Sequence, residues 1–233
     1  MDAFAPFRPR VCTQHSSFGR PHVGRSSLID LSQSRWRAAE STAQNELWFL
    51  HGYASNEDDL FGLARLIPAE WNVRSLQAPR PLPTGGYAWY DLHFDANGVR
   101  HVDPEQVWSS LDSLAELLEQ NPIKPVILGF SQGGILANAL AATHPELIQG
   151  CAAVASYFPN DWFDSVLEWK AQTDLPHLAV VGDEDGVIPT TLSVPSYETA
   201  NARGAGIEVQ RFRMGHGIAP DSWQAIARWL SNF

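Results

Sequence analysis

Four short stretches constrain the fold most. ELWFLHG (46–52), PVILGF (125–130), GCAAVAS (150–156) and PHLAVVG (176–182) are apolar at nearly every position. A strand with one wet face alternates apolar and polar residues, whereas a strand that is apolar on both sides must be covered on both faces. Between these runs lie segments of helical period. In DPEQVWSSLDSLAELLEQN (103–121), Val107, Leu111, Leu114 and Leu118 recur at spacings of three and four, with Asp103 as N-cap, Pro104 in the first turn and Gln106 in the capping-box position. SNEDDLFGLARLIP (55–68) reads as a helix capped at Ser55, with Leu60, Leu63, Ala64 and Ile67 on one face and Pro68 as its stop. NVRSLQAP (72–79) and IEVQRFR (207–213) add strands, and VPSYETANARGAG (194–206) and APDSWQAIARWLSNF (219–233) add helices. Strand and helix alternate along the chain, which predicts an α/β fold: a mostly parallel central sheet with helices on both faces.

The alternation starts near residue 44 and runs to residue 233, so one domain is expected over 44–233. Residues 1–43 read as an irregular, Arg-rich N-terminal extension, with a short strand near SSLIDLS (26–32). The first 40 residues carry Arg8, Arg10, Arg20, Arg25, Arg35 and Arg37 against Asp2, Asp30 and Glu40, yet the whole chain has a net charge of −10. An acidic chain is repelled by nucleic acid and by anionic membranes, so neither is an expected partner. No apolar run approaches the length of a membrane span, and the N-terminus lacks the apolar core of a secretory signal. A cytoplasmic location is therefore expected, and a homodimer is left open. Cys12 and Cys151 form neither a disulfide framework nor a metal-ligand pattern, and no ligand cluster of suitable spacing implies a metal or cofactor. Cys151 reads as a core thiol.

Gly129-Phe130-Ser131-Gln132-Gly133 stands between a predicted strand and the predicted helix QGGILANALAATHP (132–145). G-x-S-x-G in that context is a nucleophile elbow. The turn is so tight that side chains two residues either side of the serine would clash. Its effect is to push the hydroxyl out beyond the sheet end. A serine hydroxyl is a weak nucleophile and needs a base. The chain order in such a site is serine, acid, histidine. His177 opens a strand at the end remote from the catalytic loops. His216 lies in RMGHGIAP, after the last strand and before the last helix, and is the base by position. His15, His22, His93, His101 and His144 read as ordinary loop or surface residues. The acid belongs in the loop of AVVGDEDGVIP, where position alone leaves Asp183 and Asp185 open. Two N–H donors must hold the oxyanion: that of Gln132, after the nucleophile, and that of Tyr53, which the His51-Gly52 turn exposes.

Together LHGYASNEDDL, APRPLPTGGYAWYDL, LGFSQGGILA, GDEDGVIP and the His216 loop resemble the acyl-protein thioesterase and carboxylesterase (phospholipase/carboxylesterase) family of α/β-hydrolases, over about residues 46–233. The resemblance implies the α/β-hydrolase fold. It also implies Asp185 as the acid, because the family's aspartate stands four residues before the proline. It suggests that the aromatic loop TGGYAWYDLHF (84–94) walls the acyl pocket, with Tyr87, Trp89 and Phe130 as substrate-binding residues. The thioesterase branch has a Gly-Leu-Gly-Asp-like run where this chain has Gly52-Tyr53-Ala54-Ser55, and a His-Gly pair where it has Val181-Gly182. These departures favour a hydrolase of small esters over a protein depalmitoylase. The segment 157–175 is too short for a large cap domain, so an open cleft and short- to medium-chain esters are expected. The resulting expectation is a serine carboxylesterase. The same machinery in an acyl thioesterase or lysophospholipase, and a catalytically silent binding protein, are the rival readings.

Overall fold

The computed structural model describes residues 28–42, 45–96, 100–165, 167–170 and 174–233. Their main sheet has seven strands: β1 (Arg35–Arg37), β2 (Asn45–Leu50), β3 (Trp71–Leu76), β4 (Val126–Phe130), β5 (Gly150–Val154), β6 (His177–Gly182) and β7 (Glu208–Phe212). They lie in the order β1-β3-β2-β4-β5-β6-β7. Every pairing is parallel except that of the edge strand β1 with β3. The helices are α1 (Glu57–Phe61), α2 (Pro104–Gln120), α3 (Gln132–Thr143), α4 (Asn160–Ser165), α5 (Thr190–Ala202) and α6 (Pro220–Leu230).

The continuous apolar runs are explained by two cores, one on each face of the sheet. Trp48, Leu50, Ile127, Cys151, Ala179 and Val181 face the core built with α2, α3 and α5. Their strand neighbours Leu47, Phe49, Val126, Leu128, Leu178 and Val180 face the core built with α1 and α6. Successive side chains point to opposite faces, so a strand covered on both sides must be apolar at every position. Helix α3 runs through the middle of the first core, and all twelve of its residues are buried.

Several local expectations are corrected. Asn56, not Ser55, caps α1, its side chain accepting from the Asp58 N–H; Ser55 Oγ donates to Asp59 instead. The helix tightens to a 3₁₀ turn at Gly62–Leu66. Asp103 does cap α2, but Gln106 reaches away to Asp91, accepting from its N–H at 2.7 Å and donating to its carboxylate at 3.0 Å. Helix α5 starts at Thr190, before Val194, and contains Pro195. The carbonyl to which this proline cannot donate, that of Thr191, belongs to an exposed residue.

The sheet also begins earlier than residue 44. The N-terminal strand lies at Arg35–Arg37, beyond SSLIDLS, where the described residues show a 3₁₀ turn at Leu31–Gln33. Arg37 holds this edge in place. Its guanidinium donates to the carbonyls of Ala64, Ile67, Pro68 and Trp71, all at 2.8–3.0 Å, and so ties the edge strand to the end of the 3₁₀ turn and the start of β3. The Arg74 guanidinium lies 4.3 Å from the centre of the Trp36 ring. Residues 1–27, with Cys12, His15 and His22, lie outside the described residues.

Candidate active site

Strand β4 delivers the chain into a turn that only particular neighbours permit. Ser131 has φ 51° and ψ −116°, in the left-handed region that costs an L-residue about 1–3 kcal/mol. A Cβ on Gly129 would fall 2.2 Å from the Gly133 carbonyl oxygen, and one on Gly133 would fall 2.1 Å from that of Leu50. Both glycines are therefore steric requirements of the elbow. The strained serine is held by its N–H, which donates to Val154 O at 2.9 Å, and by its carbonyl, which accepts from Ile135 at 3.0 Å.

The turn aims the hydroxyl at His216. Ser131 Oγ lies 3.0 Å from His216 Nε2, and His216 Nδ1 lies 2.8 Å from Asp185 Oδ2. An ionised carboxylate only accepts, so Nδ1 carries the proton and Nε2 is left to accept from the serine. The other oxygen of Asp185 accepts from the N–H groups of Val187 and Ile188, both at 2.8 Å. The Asp185 side chain is wholly buried, while that of His216 is 21% exposed. Asp183 and Glu184 point elsewhere, to Arg211 and Arg213 at the surface. Of the two aspartates left open by position, Asp185 is the one that meets His216. Gly182 makes that geometry attainable: a Cβ there would fall 2.5 Å from Met214 O and 2.8 Å from Gly215 O, on the loop that brings His216 in.

Gly52, at the end of β2, packs directly against the elbow, where a Cβ would stand 3.4 Å from that of Ser131. Beyond it the chain turns through Ala54, at φ 60°. Among the described residues neither the Tyr53 N–H nor the Gln132 N–H is taken by a carbonyl. Gln132 opens α3, so the positive end of that helix faces the same place.

The substrate-binding residues expected from sequence separate. Phe130 is half-buried and stands beside the imidazole, ring centres 5.1 Å apart. Tyr87 is half-buried and forms a bridge to Ser55. Trp89 is wholly buried in the core, and its indole N–H donates to His51 O at 2.8 Å. A side chain without accessible surface does not line a pocket, so Trp89 is corrected from a substrate contact to a structural anchor; Tyr90 is buried with it. A concavity of about 240 Å³ opens beside His216, lined by Met214 to Ala219. A larger one, about 570 Å³, lies at the amino ends of β5, β6 and β7, among Gln149, His177 and Glu208, at the opposite end of the strands from the elbow.

Three features of the site escaped sequence reasoning. The His51 ring is buried, with Nδ1 2.7 Å from Gly52 O and Nε2 accepting from the Ala78 N–H at 3.1 Å; desolvation lowers its pKa. The Gln132 side chain is tied to Trp89 and Tyr90. Behind the elbow, Ser156, Tyr197, Asn138 and His177 form a buried hydrogen-bonded chain, with separations of 2.8, 3.1 and 2.8 Å in that order. The available signal was a polar residue inside an apolar run, such as Asn138 in ILANALAA. Burial pushes the His177 pKa down to about 3 and raises the Cys151 thiol well above its usual value, leaving that cysteine unreactive. Among the described residues no group of His, Cys, Asp and Glu side chains is placed to hold a metal ion, and no helix is long and apolar enough to cross a membrane.

This sheet order, with the strained serine turn at the end of a central strand, defines an α/β-hydrolase. The family profile described as Phospholipase/Carboxylesterase matches residues 33–233, and the chain belongs to that family. Among curated proteins it is 27% identical over 127 residues to a pimeloyl-[acyl-carrier protein] methyl ester esterase of Neisseria meningitidis, a match covering 54% of this chain and 42% of the relative. The match thus spans less than half the length of that relative. Among solved structures it resembles esterase PE8, with a TM-score of 0.70, 23% identity and 86% and 98% of the two chains covered. It also resembles Zea mays acyl-protein thioesterase 2, with a TM-score of 0.73, 20% identity and coverage of 85% and 97%.

Proposed function

We propose that the protein is a serine carboxylesterase acting on short- to medium-chain esters. The observation that carries this reading is the unbroken relay from Ser131 Oγ through His216 to the buried Asp185, in a chain of this family. Ser131 attacks the ester carbonyl while His216 Nε2 takes its proton. Asp185 holds the imidazole in the required tautomer and stabilises the imidazolium. The Tyr53 and Gln132 amides receive the oxyanion of the tetrahedral intermediate. His216 returns the proton to the departing alcohol, leaving an acyl-enzyme. Water, deprotonated by the same imidazole, then releases the acid and frees the serine.

The preference for shorter acyl groups rests on the small span between β5 and β6. Its described residues contain only the six-residue α4, which leaves no material for a large cap. The same reading makes a small-molecule ester the partner and the cytoplasm the site of action. The test is labelling by a fluorophosphonate in wild type and in Ser131→Ala, with nitrophenyl esters and matched thioesters of two to sixteen carbons. Labelling lost in the variant, with hydrolysis peaking at short or middle lengths, is expected. A marked preference for long-chain thioesters replaces this reading with a thioesterase. A folded wild type that neither labels nor hydrolyses is a binding protein.

A further inference from the structure

The Gln132 side chain does work that its place in G-x-S-x-G does not reveal. Its backbone N–H belongs to the proposed oxyanion hole, while its carboxamide turns away, almost wholly buried. Oε1 accepts from the Trp89 N–H at 3.0 Å, and Nε2 donates to Tyr90 O at 2.6 Å. The orientation of the amide is dictated by its partners, since a backbone N–H only donates and a carbonyl only accepts. Residues 86–90 are fastened at their other end to the loop that carries Tyr53. Ala54 N–H donates to Tyr87 O at 3.0 Å, and Tyr87 N–H to Ser55 O at 2.7 Å. Gly86, at φ 73°, lies so close that a Cβ would stand 2.2 Å from Ala54 O. The Trp89 indole is bonded to His51 O, at the root of the same loop, and Ser110 Oγ donates to Trp89 O from α2.

We propose that the Gln132 side chain is a positioning residue for the oxyanion hole: it pins residues 89–90 to the elbow, and residues 86–89 pin the loop bearing the Tyr53 amide. This inference rests on the esterase reading. The two amides of the hole come from the loop after β2 and from the first residue of α3, and no hydrogen bond joins Tyr53 and Gln132 themselves. Residues 86–90 bridge them, and the glutamine closes the bridge. A residue here must supply one acceptor and one donor to adjacent backbone groups that are themselves buried, and glutamine meets both needs. Asparagine is one methylene too short, and glutamate lacks the donor.

The experiment compares Gln132→Met and Gln132→Glu with wild type, each normalised to active sites counted by fluorophosphonate. Three quantities are measured: kcat and KM on nitrophenyl butyrate, inhibition by a trifluoromethyl ketone whose adduct oxygen occupies the hole, and thermal unfolding. Both variants keep the backbone amide, so the hole is loosened rather than deleted. The expected result is a fall in kcat of about 10- to 100-fold with KM within about threefold, and an inhibitor affinity that falls in parallel. A merely structural glutamine predicts a lower Tm with kcat and inhibitor affinity per active site within about twofold of wild type, and that result overturns the proposal. If Gln132→Met yields no folded protein, Gln132→Glu, which keeps the shape and the acceptor, decides between these outcomes. An inactive, unlabelled wild type overturns the esterase reading and this inference together, whereas an active wild type with unaffected variants overturns this inference alone.

Discussion

Two hydrogen-bonded chains meet the elbow from opposite sides, and each contains a histidine. In front, Ser131, His216 and Asp185 run from a partly exposed imidazole to a buried carboxylate. Behind, Ser156, Tyr197, Asn138 and His177 run through the core, and Ser156 packs against Gly134 of the elbow helix, where a Cβ would stand 2.8 Å away. The residue types are nearly the same: a serine, a histidine and a side chain that orients the histidine. The orienting group differs. A carboxylate stabilises an imidazolium, so the front histidine is equipped to gain and lose a proton. A carboxamide offers no charge, and desolvation then keeps the rear histidine neutral. Catalytic capacity follows from the partner and from access to water, and the residue alone does not confer it.

The largest expected effect breaks the front chain. Asp185→Asn removes the charge and keeps the shape, and kcat is expected to fall by about 10⁴-fold without loss of fold. Steady-state hydrolysis alongside circular dichroism checks this; activity within tenfold of wild type would show that the carboxylate is not the orienting acid. Behind the elbow, Asn138→Leu leaves the His177 and Tyr197 polar atoms and Tyr157 O without this partner. Urea unfolding is expected to show a loss of about 2–4 kcal/mol, with a far smaller change in kcat per active site than in Asp185→Asn. Equal losses of kcat in the two variants would erase the distinction between the chains.

A third expectation concerns pH. The folded state holds His177 at a pKa of about 3, against 6.5 for the free side chain. Between these values the unfolded chain binds a proton that the native chain does not. Stability therefore falls as pH drops from about 6.5 toward 3 and is unaffected by this group above that window. Denaturant midpoints measured for wild type and His177→Gln should converge as pH falls; parallel curves would mean that the rear histidine is not buried neutral. The smallest effect is that of Asp183→Asn, which breaks only a surface pair with Arg211. It should cost no more than about 1 kcal/mol and leave kcat unchanged. A kcat loss there approaching that of Asp185→Asn would reverse the assignment of the acid.

Much of the front chain was legible because its requirements are local. The elbow announces itself through Gly129 and Gly133, and the steric reason, carbonyl oxygens at 2.2 and 2.1 Å, acts within a few residues or on the adjoining strand. His216 was legible from chain order. The acid was not legible from position alone, since Asp183 and Asp185 are two positions apart in one loop; the family resemblance singled out Asp185, and the course of the loop turns it toward His216 and Asp183 toward Arg211. Trp89 was misread for a similar reason. An aromatic side chain in a loop suits a pocket wall or a core equally well, and its burial depends on α2 and β2, which are distant in sequence. The rear chain was the least legible, because its members come from β6, α3, α5 and the segment after β5.

By itself, then, the sequence determined the alternation of strands and helices, the two-sided burial of the sheet and the position of the strained serine. Each of these follows from periodicity or from sterics acting over a few residues and on the adjoining strand. Only the tertiary structure decided that Arg35–Arg37 close the sheet as its edge, that Trp89 belongs to the core, and that Gln132 binds the neighbouring loop, and only it shows the contact between Asp185 and His216. Those outcomes depend on hydrogen bonds and contacts between segments tens of residues apart. A one-residue difference in the path of a loop redirects such contacts while leaving every local pattern unchanged.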